Sequence, residues 1–571
     1  HLRDYIEQLS AMLVEEGVPD VAYYAHASVG VIHVRPVLNL KDPADVRRMG
    51  RVAERASDLV LVFGGAMTGE HGDGLVRSCW LEKMYGPRIM QAFRQIKQAF
   101  DPDGLFNPHK IVDPLPMTEN LRYGGGFNYT PVKTYFDYSS YGGIGGMAGM
   151  CSGVGQCRQK LVGTMCPSYM ATLDEQHTTR ARANALRVAL SGRGLIEGLD
   201  DPALVEVMDL CLSCKACKTE CPTGVDMARM KADWQAHRNH RHGVSRGARF
   251  IADAPRLARW GARLPRSANF CLGLSWTRKL LERRYGLDRR IAPPRLATRT
   301  FRHWFKRHAR RRNAPPAAAD RRGRVIYFVD TWTNYYWPQV GIAAVRLLER
   351  CGFEVVAPHL QCCGRPLISK GLLAEARELA AINVEILNHF VDTGCYVVGS
   401  EPSCILTLLD EYPHFVRGAD AKALAARVMT VESLLARVLR VEPDALKLRS
   451  HADGAARGVL YHGHCHLKAL VGTGDVNELL RAVPGLAAAE INSGCCGMAG
   501  SFGHEQSHYD VARAIGEQRL FPAIRARGDA VIAINGFSCR EQIAHHTGVT
   551  PRHVLEILAD ALPEPPPAAV S

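Results

Sequence analysis

A run of four closely spaced cysteines constrains this chain more than any other feature. The residues are Cys211, Cys214, Cys217 and Cys221, with Pro222 directly after the last. Three thiolates on one tight loop can wrap three iron corners of a cubane cluster, and the fourth cysteine, which we place at the start of the next helix, reaches a neighbouring cluster. Zinc is the alternative, but zinc sites usually draw two cysteines from each of two separated loops. The spacing therefore predicts 4Fe-4S clusters.

A second cysteine group lies upstream and keeps the terminal Cys-Pro pair, but it has three cysteines instead of four. Exchange of the terminal cysteines between the two clusters predicts two ligand sets. One set is Cys166 with Cys211, Cys214 and Cys217, and the other is Cys151 with Cys157 and Cys221. The second set is one ligand short. It predicts a three-iron cluster or a fourth ligand that the sequence does not reveal.

The cysteine count supports ligands rather than disulfides. The chain has 18 cysteines, mostly in tight clusters, and two pairs are adjacent: Cys362-Cys363 and Cys495-Cys496. An adjacent pair serves poorly in a disulfide framework, and in a reducing cytosol clustered thiols are typical of metal or cluster ligands. We therefore expect a cytoplasmic protein. Buried, inert thiols remain the interpretation for Cys79, Cys271 and Cys351.

At 571 residues the chain is too long for one hydrophobic core, so several domains are expected. It contains no secretory signal pattern and no apolar run that could span a bilayer. It begins at His1 within a helix-like segment, from which we expect a fragment or a processed product. The predicted domains are an α+β module at 1–115, a linker or wrapping segment at 116–149, a two-cluster domain at 150–235, a basic helical belt and Pro/Ala/Arg linker at 236–322, and two repeats at 323–450 and 451–562. In the first module, 59–63 is predicted as a strand.

The basic belt accounts for much of the net charge of +14. Residues 236–312 are dense in Arg, Lys and His, with Trp and Phe between them. Nucleic acid, an anionic membrane surface, an acidic protein and a plain solvated helical face are the four interpretations. We expect no nucleic acid, and we expect peripheral contact with the inner face of the cell membrane.

The C-terminal half alternates strands and helices twice in the same order, which predicts a duplicated parallel sheet. Each copy carries a Cys-Cys-Gly sequence. Because strand ends in a doubly wound sheet converge on one edge, four cysteines of the second copy are expected to form a cluster or redox site. These are Cys465, Cys495, Cys496 and Cys539. The first copy has Cys362, Cys363 and Cys404, with Asp330 at the leading position and Cys395 on the wrong side of its strand, so we expect it to be degenerate.

Two parts of the chain resemble known families. The cysteine-rich regions resemble the iron–sulfur subunits of glycolate oxidase, heterodisulfide reductase and anaerobic glycerol-3-phosphate dehydrogenase. Residues 1–115 resemble the C-terminal cap of the FAD-linked oxidases of the vanillyl-alcohol-oxidase superfamily, through His26-x3-Gly30-x2-His33, Gly69-Glu70-His71-Gly72-Asp73-Gly74 and Lys97-x2-Phe100-Asp101-Pro102-x4-Asn107-Pro108-x-Lys110. Together they imply a multidomain protein with an α+β FAD-oxidase cap, an α-helical ferredoxin-like two-cluster domain and a duplicated α/β Cys-Cys-Gly domain.

The cap resemblance implies roles for individual residues. His26, His33 and Glu70 match a divalent-metal site, for example for zinc, that holds the carboxylate and hydroxyl of the substrate. His71 matches the general base that takes the hydroxyl proton while hydride passes to the flavin. Gly72, Asp73 and Gly74 match residues that approach the flavin, and Asn107 and Lys110 match residues that close the pocket. The structural alternative is that His26 and His33 pack at a strand edge.

The resemblance thus implies part of an FAD- and iron–sulfur-dependent D-2-hydroxyacid dehydrogenase. Its electrons would pass to a quinone or a redox protein. The FAD-binding domain of this family precedes the cap, and we expect that this chain does not hold FAD tightly by itself. Two alternatives remain open, namely disulfide reduction at the Cys-Cys-Gly site and a non-enzymatic zinc or nucleic-acid binding module.

Overall fold

The computed structural model describes residues 1–311, 322–450 and 457–563. Most of the predicted Pro/Ala/Arg linker lies outside these residues. The chain divides into two compact units, His1–Tyr129 and Thr130–Ser571. Across the described ranges, every helix is too short or too polar to cross a lipid bilayer.

The first unit combines a two-stranded antiparallel sheet with helices. Its strands are paired with Tyr24 opposite His33, and its core includes Leu9, Leu13 and Val52. The elements are α1 (Leu2–Glu15), β1 (Val21–His26), β2 (Val31–Pro36), α2 (Pro43–Val62), α3 (Gly74–Arg77) and α4 (Leu81–Phe100).

The strand predicted at 59–63 is wrong, because these residues end helix α2. The side chain of Asp42 caps this helix by accepting from the Ala44 N–H, and no glycine or proline interrupts the last turns before Gly64, where φ is +69°. The apolar run is the last turn of the helix, and Leu59 packs against the core beneath it. This short apolar run is therefore helical because it continues a capped helix whose last turns contain no residue that ends a helix.

The second unit begins with an irregular segment that wraps its surface. The backbone N–H groups of Tyr135 and Phe136 donate to the carboxylate of Asp233, and Phe136 stacks on Phe415 with ring centroids 4.6 Å apart. Short helices then carry the first cysteines: α5 (Ile144–Gly149), α6 (Pro167–Thr172), α7 (Thr179–Ser191), α8 (Pro202–Asp209), α9 (Ala216–Glu220) and α10 (Met227–His242).

The described part of the basic belt is helical. Its helices leave large apolar side chains exposed, among them Trp260, Phe270 and Trp276. They are α11 (Arg246–Ala252), α12 (Ala254–Gly261), α13 (Pro265–Gly273), α14 (Ser275–Tyr285) and α15 (Phe301–Arg311).

Two four-stranded parallel sheets follow, and their topologies are the same. The strand orders are β4-β3-β5-β6 and β8-β7-β9-β10. This agrees with the predicted duplication and its parallel character. The first repeat contains β3 (Arg324–Tyr327), α16 (Thr331–Tyr335), α17 (Pro338–Arg350), β4 (Glu354–Val356), α18 (Arg365–Ser369), α19 (Leu373–Val391), β5 (Tyr396–Gly399), α20 (Pro402–Asp410), α21 (Tyr412–Phe415), α22 (Ala419–Arg427), β6 (Val428–Thr430) and α23 (Val431–Val441).

The second repeat follows the same plan and ends with the described part of the chain. Its elements are β7 (Arg457–His462), α24 (Cys465–Leu470), α25 (Gly474–Arg481), β8 (Leu486–Glu490), α26 (Tyr509–Gln518), α27 (Leu520–Arg525), β9 (Val531–Ile534), α28 (Phe537–Thr547), β10 (Arg552–His553) and α29 (Val554–Asp560). In both repeats the cysteines of the Cys-Cys-Gly sites follow the carboxyl ends of strands, which places them along one edge of each sheet.

Candidate functional site

Three residues predicted as metal ligands meet in the first unit. His26 ends β1, His33 lies on β2, and Glu70 lies in the loop between α2 and α3. Glu70 Oε2 is 3.2 Å from His26 Nε2, and Glu70 Oε1 is 3.0 Å from His33 Nε2. One donor atom from each residue lies within 4.8 Å of the others. Two imidazoles and a carboxylate at this spacing fit a divalent metal such as zinc, with further positions open to a ligand.

His71 lies against the same carboxylate. Its Nε2 is 3.0 Å from Glu70 Oε1, and its ring centroid is 5.7 Å from that of His33. The side chain of His71 is 65% exposed, so it faces open space beside the three donors. It is therefore available to a molecule bound at this carboxylate.

The glycines after His71 leave room for a ligand. A Cβ atom placed on Gly72 or Gly74 would meet nothing within 4 Å. Asp73 fixes the turn by accepting from the Thr68 hydroxyl at 2.6 Å. Space of this kind beside glycine backbone fits a flat cofactor ring.

Asn107 and Lys110 lie on a loop anchored next to these glycines. Lys110 Nζ donates to Asn107 Oδ1 at 3.0 Å. The loop is tied down where the Ile111 N–H donates to the Ser78 hydroxyl at 3.0 Å, and that hydroxyl donates to the Gly74 carbonyl oxygen. The structure thus brings the loop of the predicted pocket-closing residues to the start of α3.

The loop with the strongest cysteine motif has an unusual backbone. Ser213 and Lys215, which lie between its cysteines, have φ of +52° and +65°. Residues other than glycine rarely adopt this left-handed backbone conformation, and such strain concentrates at functional sites. Cys221 ends helix α9 as its C-cap residue, so its predicted place at the start of the next helix is wrong. Pro222 explains this, because the residue before a proline is driven to extended backbone.

The thiols of one predicted ligand set lie together. Burial raises the pKa of Cys214 well above its ordinary value. The thiols of four neighbours raise it further, in decreasing order Cys465, Cys495, Cys166 and Cys217. Burial is likewise the largest cause that raises the pKa of Cys217, with Cys166 and Cys211 among its charged neighbours. Clustered buried thiols are relieved when a metal replaces their protons.

A buried arginine supports a charged cluster at this set. The side chain of Arg182 is fully buried. Its Nη1 donates to Cys166 Sγ at 3.3 Å, its Nη2 to the Ser168 hydroxyl at 3.0 Å and its Nε to the Val207 carbonyl oxygen at 3.0 Å. A guanidinium is costly to bury without negative charge nearby. A cluster held by thiolates supplies that charge, so the residues present fit a 4Fe-4S cluster.

Glu220 connects the two terminal Cys-Pro pairs. Its carboxylate accepts from the N–H of Thr164 at 2.9 Å and of Met165 at 2.9 Å. Thr164 and Met165 directly precede Cys166, and Glu220 directly precedes Cys221. The loops that contain the two exchanged cysteines are therefore neighbours.

Cys151 and Cys157 of the second predicted set are both buried and lie beside helix α7. The backbone N–H of Arg180 donates to Cys157 Sγ at 3.4 Å, and Asn184 Nδ2 donates to Cys151 Sγ at 3.8 Å. Burial raises the pKa of Cys157, and Cys166 and Cys151 are both among its charged neighbours. The thiols of Cys151 and Cys157 therefore lie close to each other and to the thiol of Cys166, which was predicted for the other set, at the start of α7.

All four predicted cysteines of the second Cys-Cys-Gly repeat come into contact. The thiol of Cys495 contacts those of Cys465 and Cys496, and the thiol of Cys496 contacts that of Cys539. The hydrogen bond to Cys495 and then burial raise the pKa of Cys465 well above its ordinary value. The amino group of Lys468, which is mostly buried, lies close enough to the thiols of Cys465 and Cys539 to interact electrostatically with both.

The glycine of this Cys-Cys-Gly sequence is required by the packing. Gly497 has φ of +95°, and a Cβ atom there would approach the Ala512 carbonyl oxygen to 2.1 Å. Its N–H donates to Cys495 Sγ at 3.4 Å. A glycine at this position therefore lets helix α26 lie directly against the two cysteines.

The first repeat holds three cysteines in contact, since Cys363 contacts both Cys362 and Cys404. The hydrogen bond with Cys363 lowers the pKa of Cys404, but burial and the buried charges nearby raise it overall to about 12. Cys395 lies at the amino end of β5, next to Thr393, which is the opposite end of that strand from Cys404. Cys395 therefore does not join the site.

The predicted alignment of Asp330 with Cys465 is wrong by one residue. Asp330 is the N-cap of α16, where its side chain accepts from the Trp332 N–H, and His464 is the N-cap of α24, where it accepts from the His466 N–H. The residue in the position of Cys465 is therefore Thr331, whose side chain hydrogen-bonds with Cys362.

Sequence reasoning missed Arg182, Glu220 and a buried histidine, His462. Arg182 carries a usable signal, because it stands on the buried face of α7 together with Ala185, Leu186 and Ala189. A charged residue on an apolar helical stripe is costly and needs a specific partner. Glu220 and His462 show no comparable pattern.

Four stretches of the chain match known protein families. Residues 1–111 match the family described as FAD linked oxidases, C-terminal domain. Residues 148–226 match the 4Fe-4S dicluster domain, and residues 327–409 and 459–544 each match the cysteine-rich domain. These matches confirm the resemblances and support iron–sulfur clusters and FAD as the cofactors.

Some curated relatives match nearly all of this chain, and others match about half of it or less. D-2-hydroxyglutarate dehydrogenase of Escherichia coli (strain K12) is 26% identical over 609 residues, which covers 98% of this chain and 58% of that protein. Lactate utilization protein A of Geobacillus thermodenitrificans (strain NG80-2) is 35% identical over 188 residues, with 31% of this chain and 74% of that protein covered. Nearly the whole chain is therefore matched by the D-2-hydroxyglutarate dehydrogenase. The chain itself spans little more than half of that dehydrogenase's length.

A subunit of the anaerobic glycerol-3-phosphate dehydrogenase of Escherichia coli (strain K12) is 31% identical over 296 residues, with 52% of this chain and 72% of that protein covered. Both the identity and the coverage of that relative are high enough to show common family membership. The chain therefore belongs to the family of this dehydrogenase subunit, and it joins a 4Fe-4S dicluster domain and a repeated cysteine-rich domain to the C-terminal domain of the FAD linked oxidases.

Proposed function

We propose that the chain is part of an FAD- and iron–sulfur-dependent D-2-hydroxyacid dehydrogenase that passes electrons to a quinone or a redox protein. The proposal depends mainly on one observation. Two histidines, a carboxylate and a third histidine converge beside open glycine backbone, in the domain that matches the FAD linked oxidases. The same chain holds buried cysteine sets suited to one-electron transfer. The long relatives are named D-2-hydroxyglutarate dehydrogenase, and this points to a dicarboxylic hydroxyacid.

The three-donor group binds the substrate in this account. His26, His33 and Glu70 would hold a divalent metal, which supplies Lewis acidity and lowers the pKa of a bound hydroxyl. The substrate's carboxylate and 2-hydroxyl suit the open positions of such a site. His71 would then accept the hydroxyl proton on the ring nitrogen that does not contact Glu70, while its Nε2 stays beside Glu70 Oε1.

The glycine turn would receive the flavin ring. When bound, FAD supplies hydride acceptance and the release of electrons one at a time. Gly72 and Gly74 leave the space for it, and Asp73 holds their turn through Thr68. Asn107 and Lys110 would close the pocket from the neighbouring loop, held there through Ser78.

The order of the cysteine sets favours a route from the dicluster domain to the second Cys-Cys-Gly repeat. Cys214 is close enough to Cys465 and Cys495 for their thiols to raise its pKa. His466, the residue after Cys465, bonds to the Ser213 carbonyl oxygen at 3.2 Å. Short separations of this kind favour electron transfer between adjacent sites.

A large cavity in the second unit suits an acceptor. It has a volume of about 1020 Å³, and its lining includes Cys211, Cys214 and Cys465. Apolar side chains from the belt, among them Phe250 and Leu272, form much of its wall. An apolar cavity of this size with cluster ligands in its wall fits the ring of a quinone better than a charged small molecule.

The belt would dock at an anionic membrane beside this cavity. Trp260 is 66% exposed and Trp276 61% exposed, and arginines such as Arg263, which stacks on Trp260, lie between them. Exposed aromatic residues among basic ones are typical of helices that lie in a membrane interface.

Vesicle co-sedimentation tests this docking. The protein should pellet with phosphatidylglycerol vesicles at low salt and stay in solution with phosphatidylcholine vesicles. The double variant Trp260→Ser/Trp276→Ser should lose the binding, whereas Phe106→Ser, an exposed aromatic residue in the other unit, should keep it. Equal binding by all three proteins would contradict a specific role for the belt.

Anaerobic mixing of the full-length holoenzyme with D-2-hydroxyacids tests the reaction itself. Bleaching of the flavin absorbance by D-2-hydroxyglutarate or D-lactate, and not by the L-enantiomers, is the expected result. His71→Gln should slow this bleaching by about 10²- to 10⁴-fold without changing iron or flavin content, because a general base contributes about that much. Unchanged bleaching in His71→Gln would contradict the assigned base.

A further inference from the structure

We propose that His462 is a metal ligand of the second Cys-Cys-Gly site, which makes that site a mixed histidine and cysteine centre. The proposal rests on the assignment of a metal-containing redox site to this repeat. It extends that assignment from four sulfur donors to five donors, of which one is nitrogen.

His462 lies within reach of two of the cysteines. It is the last residue of β7, and its side chain is fully buried. One of its ring nitrogens and the sulfur atoms of Cys496 and Cys539 all lie within 4.8 Å of one another. These are donors that both iron and zinc accept, and a metal between them would need only small movements to reach bonding distance.

The hydrogen bonds of the His462 ring engage one of its nitrogens and leave the other without a partner among the described residues. His462 Nδ1 lies 2.7 Å from the Ser493 hydroxyl oxygen. The same hydroxyl lies 3.3 Å from the Ile491 carbonyl oxygen, to which it can donate its one proton while His462 Nδ1–H donates to the hydroxyl oxygen. In this arrangement Nδ1 is held by Ser493, and the lone pair of Nε2 is left for a metal.

Nε2 is then a buried acceptor that has no hydrogen-bond partner among the described residues. A buried polar atom without a hydrogen-bond partner destabilises the fold. In native structures such an atom usually binds an ion or a water molecule. A histidine whose other nitrogen is held by a hydrogen bond is also the usual form of a metal-bound histidine. Ser493 therefore presents Nε2 as a ligand.

The duplicated fold provides an internal comparison. Tyr327 and Tyr461 occupy the same position, since each hydrogen-bonds to the residue after the third strand of its sheet, Ser400 and Asn535 respectively. The next residue is Phe328 in the first repeat and His462 in the second. The first repeat also has a threonine in place of Cys465. The repeat that lacks the leading cysteine thus lacks the histidine as well, as expected if both serve one metal centre.

The donor set has a consequence for electron flow. An iron atom bound by a neutral histidine in place of a thiolate has a higher reduction potential. An iron atom bound by His462 would therefore accept electrons more readily than the iron atoms of the all-cysteine set of Cys166, Cys211, Cys214 and Cys217 beside it. This makes the second repeat the receiving end of the route.

Pulsed EPR on the anaerobically purified holoprotein tests the ligand. After dithionite reduction, a strong ¹⁴N coupling of a directly bound imidazole should appear, and growth with [¹⁵N]histidine should convert it to a ¹⁵N coupling. His462→Gln should abolish this coupling. His464→Asn is the matched control, since asparagine keeps the helix cap at the neighbouring buried histidine, and it should retain the coupling.

Metal content provides a second readout that does not depend on the spectrum. His462→Gln should bind less metal per chain, whereas His462→Cys, which offers a thiolate from the same position, should bind as much as the wild type. A purely structural histidine predicts equal losses in both variants. Absence of histidine coupling in the wild type together with equal metal content in His462→Gln would overturn the proposal.

Failure of this inference and failure of the proposed function are distinguishable. Reduction of the flavin by a D-2-hydroxyacid takes place in the first unit and should be as fast in His462→Gln as in the wild type. Absence of flavin reduction in the wild type would contradict the proposed function. It would not affect the EPR test, which detects histidine ligation directly.

Discussion

The Nε2 atom of His466 lies 3.2 Å from the carbonyl oxygen of Ser213, and this contact joins the two main cysteine sites of the chain. Ser213 lies in the strained loop between Cys211 and Cys214, and His466 follows Cys465 in helix α24. Packing of α24 against α9 places the dicluster domain directly on the second repeat. The distance between the two cysteine sets therefore depends on this contact.

Substitution of His466 should disturb transfer between the two sites without removing either. In His466→Leu, the Ser213 carbonyl loses its buried partner, which costs about 1–3 kcal/mol. We expect acceptor reduction to slow by about 10-fold, the equivalent of 1.4 kcal/mol, while flavin reduction and iron content stay unchanged. Parallel stopped-flow traces of the flavin and of a quinone analogue measure this. The exposed His389→Leu is the control, and equal slowing in both variants would contradict the prediction.

Arg182 should be required for the cluster that includes Cys166. Methionine has a similar length and no charge, so Arg182→Met removes the positive charge that balances the thiolates. We expect the variant to lose about four irons per chain, which is one cluster. Iron and acid-labile sulfide analysis measures the loss. Arg256→Met, at an arginine on the surface that is 72% exposed, should keep the full content. Full content in Arg182→Met would show that the cluster does not need this charge.

Glu70 should be required for a divalent metal and for turnover. Glutamine keeps the shape of the side chain and removes its charge. Glu70→Gln should therefore lose the metal and about 10²-fold or more in kcat/KM, since Lewis-acid stabilisation is worth several kcal/mol. Metal analysis by plasma mass spectrometry and initial rates measure the two effects. Glu7→Gln, an exposed glutamate of the same unit, serves as control. Retained metal in Glu70→Gln would favour the alternative that His26 and His33 only pack at a strand edge.

Much of this arrangement follows from short-range signals in the sequence. The strands before Cys465 and Cys539 have apolar centres, at 459–461 and 531–534. Parallel strands bring their carboxyl ends to one edge, so the meeting of these cysteines could be predicted. The histidines and Glu70 could be placed by resemblance, because the motif residues themselves are the ligand types. In each case a local pattern specifies the structure.

Other features depend on tertiary packing and could not be predicted from the sequence. The apolar run at 59–63 has the composition of a strand, and its helical state depends on a cap 17 residues earlier, at Asp42. Asp330 and Thr331 could not be distinguished as the match for Cys465 until the helix caps were visible. His462 shows its function through a missing hydrogen bond on Nε2, which has no counterpart in sequence.

A buried glutamate should make stability fall as pH rises. Burial raises the pKa of Glu432 to about 7, with the hydrogen bond from Asn535 opposing it. The unfolded value is about 4.3, so the folded state holds a proton that the unfolded state has released between these pH values. The stability contributed by Glu432 is therefore complete below about pH 4.3 and is lost as pH rises through about 7.

Glu432→Gln keeps the uncharged form at every pH. Its apparent Tm relative to the wild type should increase from pH 5 to pH 8, with a difference in free energy on the order of 3 kcal/mol from about 1.4 kcal/mol per pKa unit. Scanning calorimetry or fluorescence at matched ionic strength measures this. A Tm difference that does not change with pH would mean that Glu432 ionises as an exposed glutamate does.

The most direct test of the account is the metal content of the protein purified without oxygen, with an EPR spectrum after dithionite reduction. Iron should amount to about eight to twelve atoms per chain with matching acid-labile sulfide, from two or three clusters of up to four irons each. Reduced-cluster signals should appear in the same sample. Stoichiometric zinc with little iron and no sulfide would contradict the electron-transfer account and favour a zinc-binding protein.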